Sequence, residues 1–216
     1  APLDEATLAE IKAHADGLKP LVDGPRARLH FLVGGEVNCM MGKAPHYIAA
    51  SSEIADSHVE NVGFTLQQMD LMLQSRGIGS HWIGMATPKR KPEGYIFTFA
   101  FGKAAEPMYR ELADFDRKPL SEISDISDKR LEPARVAPSG LNKQPWYFIS
   151  EPSGDIHAYC AKPKGLTAVL GDKMSRIGMG IALAHLYAAN PDTFVFFKQA
   201  DPKAVDGYTY TGSVRI

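Results

Sequence analysis

Residue 147 stands 117 positions after residue 30, and at that spacing Tyr147-Phe148-Ile149 aligns with His30-Phe31-Leu32. The same offset, with no gap, sets Gly180-Ile181-Ala182-Leu183-Ala184-His185-Leu186 on Gly63-Phe64-Thr65-Leu66-Gln67-Gln68-Met69. Such a chain runs strand, long interval and buried helix, twice over. Chance likeness between two apolar helices does not readily give one gapless offset across two separate segments. Each half presents an apolar helical face too large to leave in water. The two long helices are therefore expected to pack together, as in a dimer fused into one chain. The expected fold class is α+β, with an antiparallel or mixed sheet flanked by helices. Its two pseudo-symmetric halves run over about 1–115 and about 120–216.

Local pattern fills in the elements. Leu8, Ile11 and Ala15 recur at helical spacing and predict a helix over 4–16, with Gly17 as its stop. Strands are predicted at 28–33, 47–51, 95–102, 146–150 and 193–198, and Tyr208-Thr209-Tyr210 is expected to add an edge strand. The segment 34–44 holds three Gly and reads as a loop. Asp56-Ser57 offers an N-cap for a long helix through Arg76, with Val62, Leu66, Met69 and Leu73 on one face and Gly77 closing it. Tyr95, Phe97 and Phe99 alternate as a strand should, and core packing explains them. The charged, proline-containing stretch 116–129 reads as the connection between the halves.

The chain has 216 residues, 44% of them hydrophobic, which is enough to bury a full core. A formal net charge of −1 gives no electrostatic case for nucleic acid or an anionic membrane. No apolar run approaches the roughly 20 residues that span a bilayer. Cys39 and Cys160 are far apart, as expected of reduced thiols in a cytoplasmic protein. The start has neither a basic nor an apolar leader region, and the missing initiator Met suggests a native start further upstream. The seven histidines form no H-E-x-x-H pair and no Cys/His cluster, so no metal site is expected. His185 reads as a satisfied core or interface residue and Met40-Met41 as loop packing. His81 lies where it could touch a ligand.

Three segments carry chemistry. The first is Ala137-Pro138-Ser139-Gly140-Leu141-Asn142-Lys143-Gln144-Pro145-Trp146, a polar loop between two prolines that passes straight into a strand. Prolines fix φ, and Gly, Ser, Asn and Gln turn the chain or hydrogen-bond a flat polar ligand. Composition alone equally describes a proline-stiffened connector. Ser139 has no assigned His base, so a hydrolase triad is unsupported. The second is Gly77-Ile78-Gly79-Ser80-His81-Trp82-Ile83-Gly84. It fails the G-x-G-x-x-G fingerprint because Trp82 takes the third glycine's place and the run follows a helix. The third pairs Phe101-Gly102-Lys103 with Asp116-Arg117-Lys118-Pro119-Leu120. Adjacent cations can grip a phosphate, although a solvated charged link has the same composition.

Together these segments resemble the nitroreductase family, in its single-chain, internally duplicated branch. The first matches the family's A-P-S-x-x-N-x-Q-P-W motif, the second its G-L-G-x-x-W-I-G segment and the third its R/K-R/K-P-L element. The likeness covers nearly the whole chain, including Arg110 and the helix 177–186. It implies bound FMN and a hydride supply from NAD(P)H to an electron-poor acceptor, such as a nitroaromatic or a quinone. It also implies roles. Pro138, Ser139 and Gly140 cover the flavin ring, while Asn142 and Gln144 orient the loop or the pyrimidine edge. Main-chain groups around Trp82, Ile83 and Gly84 face the N5 region, and Arg117 and Lys118 hold the phosphate. Ordinary members are homodimers, so the duplication implies one flavin between the halves of a pseudo-dimer, compatible with a monomer. The family opens with an R-x-S-x-R phosphate element, and this chain begins with what resembles the segment just after it. The alternative is a non-catalytic flavin-binding or carrier protein on a degenerate nitroreductase fold. A different flavin reaction, such as dehalogenation or flavin-ring cleavage, shares the fold.

Overall fold

The computed structural model describes every residue except 41, 107, 108, 164, 166 and 167. Met41 of the expected Met40-Met41 packing therefore lies outside the described residues. Met40 itself is exposed rather than packed. The chain divides into two compact units, Ala1–Arg110 and Glu111–Ile216.

The first unit opens with α1 (Glu5–Asp16), one residue later than its apolar period suggests. Asp4 is the N-cap, its carboxylate accepting from the Thr7 amide at 2.8 Å. Ile11 is the anchor of α1 and is fully buried. There follow β1 (Arg28–Val33), the short β2 (Val37–Cys39), β3 (His46–Ser51), α2 (His58–Ser75), β4 (Ile78–Trp82), the short β5 (Ala86–Pro88) and β6 (Tyr95–Lys103). The main sheet has the order β1-β3-β6-β4 and all its pairs are antiparallel. β2 and β5 form a separate antiparallel pair. The central strand β3 is buried along its whole length, so its middle, Tyr47-Ile48-Ala49-Ala50, is apolar without alternation. Val62, Leu66, Met69 and Leu73 of α2 are fully buried.

Ser57 is the N-cap of α2, but not in the way its residue type suggests. It sits at φ 56° and its side chain makes no capping bond. Its hydroxyl donates to Asp56 at 3.2 Å instead. Gly77 follows the helix at φ +70° and its amide donates to the Gln74 carbonyl at 2.9 Å, the left-handed stop that glycine suits. The next residues continue directly into β4.

The second unit contains α3 (Leu120–Ile123), α4 (Glu132–Arg135), β7 (Trp146–Ser150), β8 (Ile156–Ala161), α5 (Ala168–Ala189), β9 (Val195–Phe197) and β10 (Tyr208–Arg215). Its sheet has the order β7-β8-β10-β9, again antiparallel throughout. The expected edge strand at the C-terminus is thus longer than its three-residue signal and lies between two partners. A bulge between Tyr210 and Gly212 interrupts its pattern. The stretch 116–129 is not bare linker, because it contains α3 with Ile123 fully buried and a parallel bridge from Ser124 to Phe148. Both four-stranded sheets are antiparallel, not mixed. In both, the strands lie in the order first, second, fourth, third, and the long helix falls in sequence between the second and third.

No described helix is long and apolar enough to cross a membrane. Among the described residues no group of three or more His, Cys, Asp or Glu could hold a metal ion.

Candidate functional site

In the second unit the loop Pro138–Pro145 is held under strain. Leu141, Asn142 and Gln144 lie at φ 53°, 54° and 48°. Left-handed backbone costs a non-glycine residue about 1–3 kcal/mol and persists only where the surroundings over-determine it. Leu141 is also 90% exposed, so packing does not hold it there. Hydrogen bonds do. The Asn142 amide donates to the Ser139 carbonyl at 3.0 Å, and the Lys143 amide donates to the Gly140 carbonyl at 3.2 Å. The Gln144 amide donates to the Ser139 hydroxyl at 2.8 Å.

The two amide side chains finish the job. Gln144 is buried and donates to the Asn142 carbonyl at 3.0 Å, while its Oε1 accepts the Lys118 amide at 2.7 Å. Asn142 donates to the Asp116 carbonyl at 2.8 Å. Arg117 donates from Nη1 to Asn142 Oδ1 at 3.0 Å and from Nε to the Ala137 carbonyl at 3.1 Å. Its guanidinium also stands over the Phe115 ring, 5.5 Å from the centroid. The two cations expected at the tail of the first half thus belong to the second unit and are tied to the Asn142 loop. The hydrogen bonds of Asn142 and Gln144 orient that loop.

Helix α5 supports the loop from within the same unit. A Cβ on Gly178 would sit 3.2 Å from Pro145 Cγ and 3.8 Å from Ser139 Cβ, and one on Gly140 would sit 3.1 Å from Met174 Cε. Small residues at both positions let loop and helix approach closely. Trp146, which ends the motif, is fully buried, and its indole N–H has no hydrogen-bond partner among the described residues. His185 of α5 is an enclosed ring on a residue that keeps some solvent contact. Burial pushes its pKa down to about 4, and the charge of Arg117 adds to the effect. A hydrogen bond with the Pro133 carbonyl opposes it. It is a neutral core histidine beside the loop's cation.

In the first unit the expected glycine-rich turn is mostly strand. β4 runs through Trp82 and pairs it with Phe99 of β6. The Trp82 indole lies 5.4 Å from the Phe97 ring and 5.5 Å edge-on from Phe99. Ile83 is buried in a cluster with Val37, Tyr47, Ala86 and Ala100. Gly84 is exposed, and among the described residues a Cβ there would meet nothing within 4 Å. A hollow of about 320 Å³ is lined by Lys43, Ser80, His81, Ile83 and Lys103, among others. It brings His81 together with the Phe101-Gly102-Lys103 segment.

Two further residues of this region, Gln67 and Asp70, belong to none of the three motifs. Trp82 donates from Nε1 to Gln67 at 3.0 Å, and Gln67 donates in turn to Asp70 at 2.9 Å. Both acceptor residues are buried in α2. The available signal was polar: Gln67, Asp70 and Gln74 recur at helical spacing beside the apolar stripe.

Comparison with known proteins follows the same lines. Residues 1–190 match the family model described as "Putative TM nitroreductase". No curated protein sequence matches the chain. The crystal structure of a protein titled a "putative nitroreductase", from Thermotoga maritima MSB8, superposes with a TM-score of 0.63 at 18% identity. The superposition covers 99% of this chain and 86% of that one. At that identity the likeness shows the fold. Nitroreductase families generally use a flavin and are oxidoreductases. With 190 of its 216 residues spanned by the family model, the chain belongs to the putative TM nitroreductase family.

Proposed function

We propose that the chain is an FMN-dependent oxidoreductase that passes hydride from NAD(P)H to an electron-poor acceptor such as a nitroaromatic or a quinone. The observation that carries this reading is the loop Pro138–Gln144, where three non-glycine residues are held left-handed by a hydrogen-bond latch. Strain of that kind clusters at ligand clamps, and here it falls on the segment that resembles the family's ring-binding motif.

The residues present suit a flavin. In the second unit Pro138, Ser139 and Gly140 offer a rigid surface for a planar ring, and Asn142 and Gln144 keep that surface in shape. The Arg117 guanidinium and the Lys118 main-chain amide both bond to the loop, and we assign the two cations to the FMN phosphate. In the first unit we assign the main chain at Trp82, Ile83 and Gly84 to the ring's N5 region, and the space around a Cβ on Gly84 supports that reading. Bound FMN supplies the two-electron chemistry that no side chain here possesses. The chain's own part is to bind, to orient and to keep water from the reacting faces. No side chain is assigned as nucleophile or general acid.

We further propose that the two units descend from one duplicated unit. The gapless 117-residue offset and the shared strand order support it. The proposed setting is the cytoplasm, where NAD(P)H is abundant and the thiols of Cys39 and Cys160 stay reduced.

The test is spectroscopic. Protein purified with FMN should be yellow, should bleach on anaerobic addition of NADH or NADPH, and should recover its colour when a quinone or nitroaromatic is added. Flavin that binds without bleaching would favour the carrier alternative, and protein that takes up no FMN would end both readings. Asn142→Ala should lose FMN while keeping the thermal transition of the wild type within a few degrees.

A further inference from the structure

Beneath Trp82 runs a buried polar chain that packing alone does not require. The indole N–H donates to Gln67 Oε1 at 3.0 Å, and Gln67 Nε2 donates to Asp70 Oδ2 at 2.9 Å. The other carboxylate oxygen of Asp70 accepts from Gln74 at 2.8 Å and from the Ser80 hydroxyl at 2.5 Å. Gln67 is 1% exposed and Asp70 3% exposed. At such positions an apolar side chain of similar volume usually serves stability as well or better, because burying a carboxylate and an amide costs their desolvation. Networks of this kind fix geometry instead.

The geometry fixed here is that of one side chain. Trp82 is half-buried at the end of β4, and two rings, Phe97 and Phe99, bound part of its indole. The bond to Gln67 removes the remaining rotational freedom, and Asp70 keeps the Gln67 amide from flipping. It accepts from the NH2 group and so leaves the carbonyl oxygen facing the indole. Ser80, two residues before Trp82 on the same strand, ties Asp70 back to β4. Helix and strand are thereby locked in register at the tryptophan. A buried carboxylate also stands two hydrogen bonds from the indole N–H, with Gln74 and Ser80 completing its acceptor set.

We propose that Gln67 and Asp70 are positioning residues, which set the indole of Trp82 and bias the flavin beside it toward the oxidised state. The second half of this statement rests on the reading that the 82–84 segment holds FMN. Reduction adds negative charge to a flavin, and a nearby carboxylate opposes it. Asp70→Asn should therefore move the FMN midpoint potential to more positive values. Gln67→Met should release the ring.

The experiment has two arms on the full chain. The chain has two tryptophans, so a ¹⁵N-labelled sample shows two indole N–H signals in NMR. In Gln67→Met the Trp82 signal should move upfield, as a lost hydrogen bond requires, while the Trp146 signal stays. Gln67→Glu keeps an acceptor for the indole and, by taking up a proton, a donor for Asp70, so it should restore the signal. Should Gln67→Met not fold, Asp70→Asn serves in its place, with a smaller shift in the same direction. A Trp82 signal that does not respond overturns the positioning role, whatever the flavin does. In the second arm, FMN-loaded wild type and Asp70→Asn are compared by redox titration. An unchanged potential overturns the bias on the flavin. Failure of the wild type to take up FMN overturns that bias together with the FMN reading on which it rests, while the first arm still decides the positioning role.

Discussion

Arg117 donates to Asn142 across 3.0 Å, and Asn142 reaches back to the carbonyl of Asp116, the residue before that arginine, at 2.8 Å. The pair closes a latch between two segments 25 residues apart, and the latch pins a loop whose backbone would otherwise relax. Because the guanidinium is half-exposed, each bond is worth less than the roughly 1.5–3 kcal/mol of a buried charged one.

Coupling between the two residues follows. Arg117→Ala and Asn142→Ala should each destabilise the chain. The double variant should cost less than the sum, leaving a coupling of about 0.5–1.5 kcal/mol in a urea-denaturation cycle. Arg117→Lys should not restore it, because one ammonium on a flexible stem does not replace a planar fork that reaches Asn142, Ala137 and Asp116 at once. Strict additivity would mean that the two segments are held by other means.

A second expectation concerns pH. The folded pKa of His185 is about 4, against an ordinary 6.5, with burial as the main cause and Arg117 as the next. Between those values the unfolded chain binds a proton that the folded chain refuses, so stability rises with pH across this window. Full stability from this residue is present above pH 6.5 and is lost as pH falls toward 4. The shift corresponds to about 3 kcal/mol at full effect. His185→Gln should flatten that limb, as urea midpoints at pH 4.5 and 7 would reveal. A wild-type midpoint that falls no faster than that of the variant would rule it out.

Gly94 is the position least tolerant of a side chain. It lies at φ +66°, and a Cβ there would come within 2.1 Å of the Ser52 carbonyl oxygen. Both the obstacle and the glycine are main chain, and the Gly94 carbonyl accepts the Ser52 amide at 3.0 Å. Neither can step aside. Gly94→Ala should cost more than about 3 kcal/mol. Gly35→Ala, where a Cβ meets nothing within 4 Å among the described residues, should stay within about 0.5 kcal/mol of wild type. Equal melting temperatures for the two would refute the contrast.

Much of this architecture was legible before any coordinates, and the exceptions have physical causes. β1 and β7 run over the expected 28–33 and 146–150, because Gly34 ends the one pattern and Pro145 opens the other. The sequence does not mark β4 as a strand. Its residues Ile78-Gly79-Ser80-His81-Trp82 lack β-branched density, and it is β6 that makes them a strand through pairing from Lys103 to Phe99. β8 carries no clear strand signal, because Ile156-His157-Ala158-Tyr159-Cys160 mixes polar with small residues. In the fold His157 is satisfied by Ser213 at 2.7 Å, a partner 56 positions away. The motif 137–146 was visible as a site but not as a latch. Gln144 and Asn142 look like ligand-facing amides in sequence, and only tertiary structure brings Arg117 and Lys118 to them.

Gly178 links helix α5 to the loop, and its replacement should separate affinity from stability. Alanine in place of glycine inside a helix ordinarily gains about 0.5–1 kcal/mol. Here the added methyl would press on the Pro145 ring, 3.2 Å from Cγ and 3.5 Å from Cδ, with Ser139 Cβ just beyond at 3.8 Å. The helical gain offsets the contact cost, so Gly178→Ala should melt within a few degrees of wild type. The proline must give way by a few tenths of an ångström, and with it the ends of the strained segment that we assign to the flavin. FMN affinity should fall by about tenfold, or about 1.4 kcal/mol, when measured by fluorescence titration of the stripped protein. Faster hydrogen exchange at the Gln144 amide, which donates to Ser139 Oγ at 2.8 Å, should accompany the loss. Wild-type affinity with wild-type exchange in this variant would show that α5 does not set the shape of the loop.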